Sequence, residues 1–282
     1  MSITEYRDRI LERLQTSSSG IAREADDWLE LAHSKAKIGE LIWILNDNGT
    51  SADEKTRAIV MMNTVRNFSP VMRKLQPEII NALRGQIEAP NVGLRRSAIS
   101  TLAAMKDEMV QELLLEDISS DKPEEEKLLP TASALAMLAR DEKAVPSSVL
   151  RKIMMSPPNE ESQIAAIRQM PSDPDVCEDL LSLMKDENVP LAAREMIPGM
   201  VSEADPLAFL NAATEMLNDS GEESELAPWL VKGMSHISAP EAAEAVDSAK
   251  KLVSKLRKRK KAPASFKSAA SALLDNGNKP EQ

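Results

Sequence analysis

The sequence predicts an all-α protein built from antiparallel helix pairs, and three observations predict it. Only seven of the 282 residues are aromatic: Trp28, Trp43, Trp229, Tyr6, Phe68, Phe209 and Phe266. The apolar content is carried by Leu, Ile, Ala, Val and fifteen Met, most of them small or unbranched and therefore good helix formers. No β-branched or aromatic run alternates with period two at strand length, whereas apolar residues recur at i, i+3 and i+4 almost from end to end. About fifteen helices of about 10 to 18 residues are expected, with short connections.

In chain order, residues 1–34 are expected to hold two capping helices split by the polar break Thr16-Ser17-Ser18-Ser19-Gly20. Residues 35–238 read as helical repeats. In "APNVGLRRSAISTLAAM", Leu94, Ala98, Ile99, Leu102 and Met105 share one face, with Arg95, Arg96 and Thr101 largely outside it. The break at Lys106-Asp107 supplies an N-cap, after which Val110, Leu113, Leu114 and Ile118 form the stripe of a second helix. Weaker copies of the first helix stand at 54–65, 126–139, 161–170 and 225–234. The acidic segment before the 126–139 copy is expected to be a loop, with Pro123 as the first residue of the helix that follows. Residues 239–262 read as a C-terminal capping helix with a basic end, and 263–282 as a short helix and a frayed tail. One continuous helical domain is expected.

The pair recurs. A shift of 97 positions aligns Asn91-Val92 with Asn188-Val189, Leu94 with Leu191, Val110 with Leu207 and Leu113 with Leu210. Ala58, Ala98, Ala134, Ala166, Ala193 and Ala227 mark successive first helices at spacings of 40, 36, 32, 27 and 34. Helix pairs at such irregular periods indicate an α-solenoid, in which each pair buries its apolar faces against its neighbours.

The segments "PNVGLRRSAISTLAAMKDEMVQELL", "NEESQIAAIRQMPSDPDVCEDLLSLM" and "DENVPLAAREMIPGMVSEADPLAFL" resemble the HEAT-repeat superfamily, in particular the short repeats first named from phycobilisome lyases. The resemblance covers residues 38–240 and implies a fold rather than a function. Two enzymatic families share that fold. HEAT-like DNA glycosylases present a basic concave face with aromatic side chains, which this composition does not supply. Phycobilin lyases attach a bilin to a phycobiliprotein partner, a remote alternative here because no residue pattern marks a tetrapyrrole pocket.

Residues that carry chemistry elsewhere are sparse. The formal charge is -10, yet residues 250–267 hold nine Lys or Arg and no acid. Without those nine, 26 Lys and Arg face 45 acids, so the rest of the chain repels phosphate backbones. Nucleic acid is therefore expected, if at all, only at Arg257, Lys258, Arg259, Lys260 and Lys261, which also suit the negative end of a helix dipole. Glu116, Asp117, Asp121, Glu124, Glu125 and Glu126 form an acidic ridge that reads as a solvated face or as a dock for a basic partner.

His33 and His236 lie far apart, and Cys177 is the only thiol, so neither a Cys/His metal site nor a disulfide is expected. Glu178 and Asp179 beside Cys177 oppose a thiolate. Phosphate-loop, dinucleotide, zincin and nucleophile-elbow motifs are absent from the sequence. Met61-Met62, Met154-Met155, Met184, Met196, Met200 and Met216, like Trp43 and Trp229, are expected in the core. The charged N-terminus lacks the apolar stretch of a signal peptide, and no membrane span is visible. The expectation is a cytoplasmic, monomeric scaffold or adaptor for a protein or peptide partner, with no enzymatic activity, cofactor or metal. The alternative is a nucleic-acid-associated or nucleus-targeted protein acting through the basic cluster.

Overall fold

A computed structural model describes residues 30–139 and 145–275. It is all-helical, with no strand among the described residues and sixteen α-helices. The chain divides into two compact units, Met1–Ala144 and Val145–Gln282. The expected capping helices lie mostly outside the described residues, as does the tail after Asp275.

The first unit contains α1 (Lys35–Asn46), α2 (Ala52–Val65), α3 (Pro70–Lys74), α4 (Gln76–Arg84), α5 (Val92–Ala104), α6 (Glu108–Ser119) and α7 (Thr131–Leu138). Helix starts are chemically encoded. Ser51 closes a capping box with Glu54, and the side chains of Asn91 and Asp107 accept the Leu94 and Val110 amides. Helices α2 and α5 pack together, as do α5 and α7, and α4 packs against α1 and α5.

The second unit contains α8 (Ser147–Met155), α9 (Glu160–Gln169), α10 (Cys177–Lys185), α11 (Leu191–Arg194), α12 (Ile197–Ala204), α13 (Pro206–Ser220), α14 (Ala227–Ser235), α15 (Ala243–Arg257) and α16 (Ala264–Asp275). One row of contacts runs α9, α11, α12, α14, α16, and a second runs α10, α13, α15. Phe209 on α13 and Phe266 on α16 are fully buried. Gly233 on α14 is required by close approach, since a Cβ there would stand 2.6 Å from Phe209 Cζ and 3.0 Å from the Pro198 carbonyl.

All six marker alanines, Ala58, Ala98, Ala134, Ala166, Ala193 and Ala227, have no exposed surface. The repeat register is corrected from 97 to 99 positions. At 99, Leu94 matches Ala193, Ala98 matches Ile197, Leu102 matches Val201, Val110 matches Phe209, Leu114 matches Ala213 and Ile118 matches Leu217, every one buried. At 97, buried Val110 would match Leu207, which is 41% exposed. The offset is set where the helices start: N-cap Asn91 corresponds to N-cap Pro190, so the second Asn-Val, at 188–189, stands in the loop before its helix and not at the cap.

Four other expectations are corrected. Residues 124–126 form a 3-10 turn and α7 begins at Thr131, not after Pro123. Pro130 has no N–H to donate and disfavours helical geometry in Leu129 before it, so the helix starts beyond it. Thr101 is buried, because its hydroxyl closes back on the Ser97 carbonyl and receives Asn63 Nδ2. Trp229 is 36% exposed, with Lys232 Nζ 5.2 Å from its ring centroid, so it gains a cation over its face in place of a core position. Met155 is likewise exposed, whereas Met62, Met154 and Met184 are buried.

Candidate functional site

The sequence positions a polar side chain at the fourth residue of α2, α5, α9 and α11, and each reaches out of its own helix. Lys55 Nζ donates to Gln86 Oε1, whose amide holds the Leu45 carbonyl. Arg95 donates from Nε to the Leu128 carbonyl and from a terminal nitrogen to the Ala89 carbonyl. Gln163 donates to the Met154 carbonyl and Arg194 to that of Met184. These bonds satisfy loop and helix-end carbonyls that would otherwise face apolar surroundings, and each anchors its helix to a neighbour within its own unit.

In the first unit, α2, α5 and α7 present an open face. Packing of α2 on α5 and of α5 on α7 leaves a depression of about 560 Å³, lined among others by Val60, Asn63, Arg96, Ser97, Ser100 and Ser133. Asn63 is positioned by its 2.8 Å bond to Thr101 Oγ1. Arg96 and the hydroxyls of Ser97, Ser100 and Ser133 make no side-chain hydrogen bond or ion pair with the described residues. Val60 is 56% exposed, and no described lining residue is Asp or Glu.

The basic cluster is divided by the fold. Arg257 donates to Ser271 Oγ, and Arg259 pairs at 2.8 Å with Glu222, a carboxylate buried in the loop after α13. Lys258, Lys260 and Lys261 are exposed. The acidic ridge is divided too. Buried Asp117 accepts the Leu128 amide at 2.8 Å and pairs with Lys122. Glu124 accepts both the amide and the hydroxyl of Thr131, capping α7 in place of Pro130, and pairs with Lys127. Glu116, Asp121, Glu125 and Glu126 are exposed.

Cys177 is 4% exposed, and its thiol donates to the Asp173 carbonyl. Burial, then the charges of Asp205 and Asp173, push its pKa above the ordinary thiol value, the wrong direction for a nucleophile. His33 and His236 are both exposed. Among the described residues, no three His, Cys, Asp or Glu side chains gather to hold a metal, and no helix is long and apolar enough to cross a membrane.

Sequence reading missed the depression because its residues are individually ordinary. Arg96 and Val60 sit off the apolar stripe, and only the side-by-side packing of α2, α5 and α7 brings them to one face. Compared with protein-family models, curated proteins and solved structures, the chain matches none.

Proposed function

We propose that the chain is a non-enzymatic scaffold or adaptor, an α-solenoid of HEAT-like helix pairs that binds a protein or peptide partner on the face of its first helices. The order of helix contacts within each unit supports the architecture, as do the six buried alanines and the tether repeated on four first helices. The observation that carries the function is the open face over α2, α5 and α7, where an exposed valine lies in one depression with unengaged hydroxyls and an unpaired guanidinium. Such a surface recognises by distributed contacts and offers no reacting group.

Site-specific photo-crosslinking tests the reading. A photoreactive residue replacing Ser100 is expected to yield discrete protein adducts in an extract of the source cells, while one replacing Glu112 on α6 yields none. Absence of adducts from Ser100 and from further positions along the first helices of both units would remove the scaffold reading.

A further inference from the structure

We propose that the depression over α2, α5 and α7 binds an acidic peptide segment, with a Glu or Asp of the partner paired to Arg96 and a neighbouring aliphatic side chain packed on Val60. This inference rests on the scaffold reading and names the chemistry of its partner. It starts from charge. The chain carries 45 acids against 35 Lys and Arg, yet this depression is lined by Arg96 and by no described carboxylate. An unpaired guanidinium presents a planar fork of donors that matches a carboxylate in two parallel bonds.

The hydroxyls point the same way. Ser119, Ser248 and Ser271 turn their hydroxyls onto the carbonyl one helical turn back. Ser97, Ser100 and Ser133 make no such bond and are left able to donate to a ligand. Asn63 spends its amide on Thr101, which leaves its Oδ1 to accept a peptide N–H. Ala132 and Ala136 add little height to the α7 side, so a peptide backbone can come close. Val60 supplies the apolar half: a β-branched residue 56% exposed mid-helix contributes little to folding and offers surface to bury.

The full chain, immobilised, is panned against a random peptide library displayed on phage, with Arg96→Glu and Val60→Asp as counter-selections. Both positions are exposed, and circular dichroism checks that the variants fold. Enriched peptides are expected to carry Glu or Asp beside Leu, Ile or Val and to be lost on either variant. The synthetic consensus should bind Arg96→Ala about tenfold or more weakly, the loss expected for a charge-assisted hydrogen bond, and Arg96→Lys should restore part of it. Enriched peptides without an acid, or retained by Arg96→Glu, overturn the acidic-peptide assignment and leave the scaffold reading standing. No enrichment also overturns it, and the scaffold reading then depends on the Ser100 adducts. Retention of single-stranded nucleic acid through Arg96 instead of peptide overturns it as well.

Discussion

Arg259, just past the end of α15, donates to the carboxylate of Glu222, which is 5% exposed in the loop after α13. This contact turns one member of the basic cluster into a brace within the second unit. Its companion in that loop, Gly221, holds φ at +71°, which favours glycine and aims the loop towards the arginine. Arg259→Ala should therefore lower stability by about 1–3 kcal/mol, because a buried carboxylate loses its partner. Lys258→Ala and Lys260→Ala, at exposed positions, should stay within about 0.5 kcal/mol. Thermal unfolding of the three variants checks this ordering, and Arg259→Ala with Glu222→Gln should recover part of the loss.

Glycine substitutions should have opposite signs. Gly233→Ala places a Cβ 2.6 Å from Phe209 Cζ and 3.0 Å from a backbone carbonyl, so it should destabilise by about 1–3 kcal/mol through overpacking. Gly199→Ala on α12 meets nothing within 4 Å and should stabilise by up to about 1 kcal/mol, since alanine loses less backbone entropy in a helix. Urea midpoints of the two variants decide the matter.

Arg95 should not tolerate lysine. Its guanidinium serves two carbonyls in different loops, Leu128 at 2.8 Å and Ala89 at 3.0 Å, and a single ammonium cannot reproduce that fork. Arg95→Lys and Arg95→Ala should both destabilise, by about 1–3 kcal/mol for the alanine variant. Arg194→Lys, which has one carbonyl to serve through Nε, should cost less than Arg95→Lys. Chemical denaturation measures the difference.

Cys177 should react slowly. Burial, then Asp205, then Asp173 raise its pKa, so the folded state holds the thiol proton more tightly than the unfolded chain does. The stability this confers is present below the ordinary thiol pKa and is lost as pH rises through the raised one. Alkylation of the folded protein should lag a model thiol at every pH up to that point and match it in denaturant. Equal rates in the folded protein would contradict the geometry around the sulfur.

Helix class was legible in the sequence because apolar spacing, capping residues and small inward positions agree with one another, as at Asn91, Ala98 and Asp107. Register was not. The shared Asn-Val of positions 91 and 188 favoured a shift of 97, while burial follows 99, because Asn91 caps its helix whereas Asn188 stands two residues before the cap at Pro190. The site was hidden for a different reason. Arg257, Arg259, Asp117 and Glu124 look alike in composition to the exposed charges beside them, and only their partners separate a brace or a cap from a free surface. Arg96 gave the opposite impression, an incidental outward residue until α2 and α7 supplied its surroundings.

The fourth-residue tethers have a mechanical meaning. Each joins a helix to an adjoining loop or helix end, and none spans more than about one neighbour. Each is therefore local: breaking one frees its own loop or helix end and leaves the others bonded. At the interrupted helix the Arg194 bond to the Met184 carbonyl acts beside the Glu195 and Met196 amides, which donate to the Leu191 and Ala193 carbonyls. Arg95 ties two loops at once, where Arg194 ties one helix end, so losing the first guanidinium releases more of the chain than losing the second.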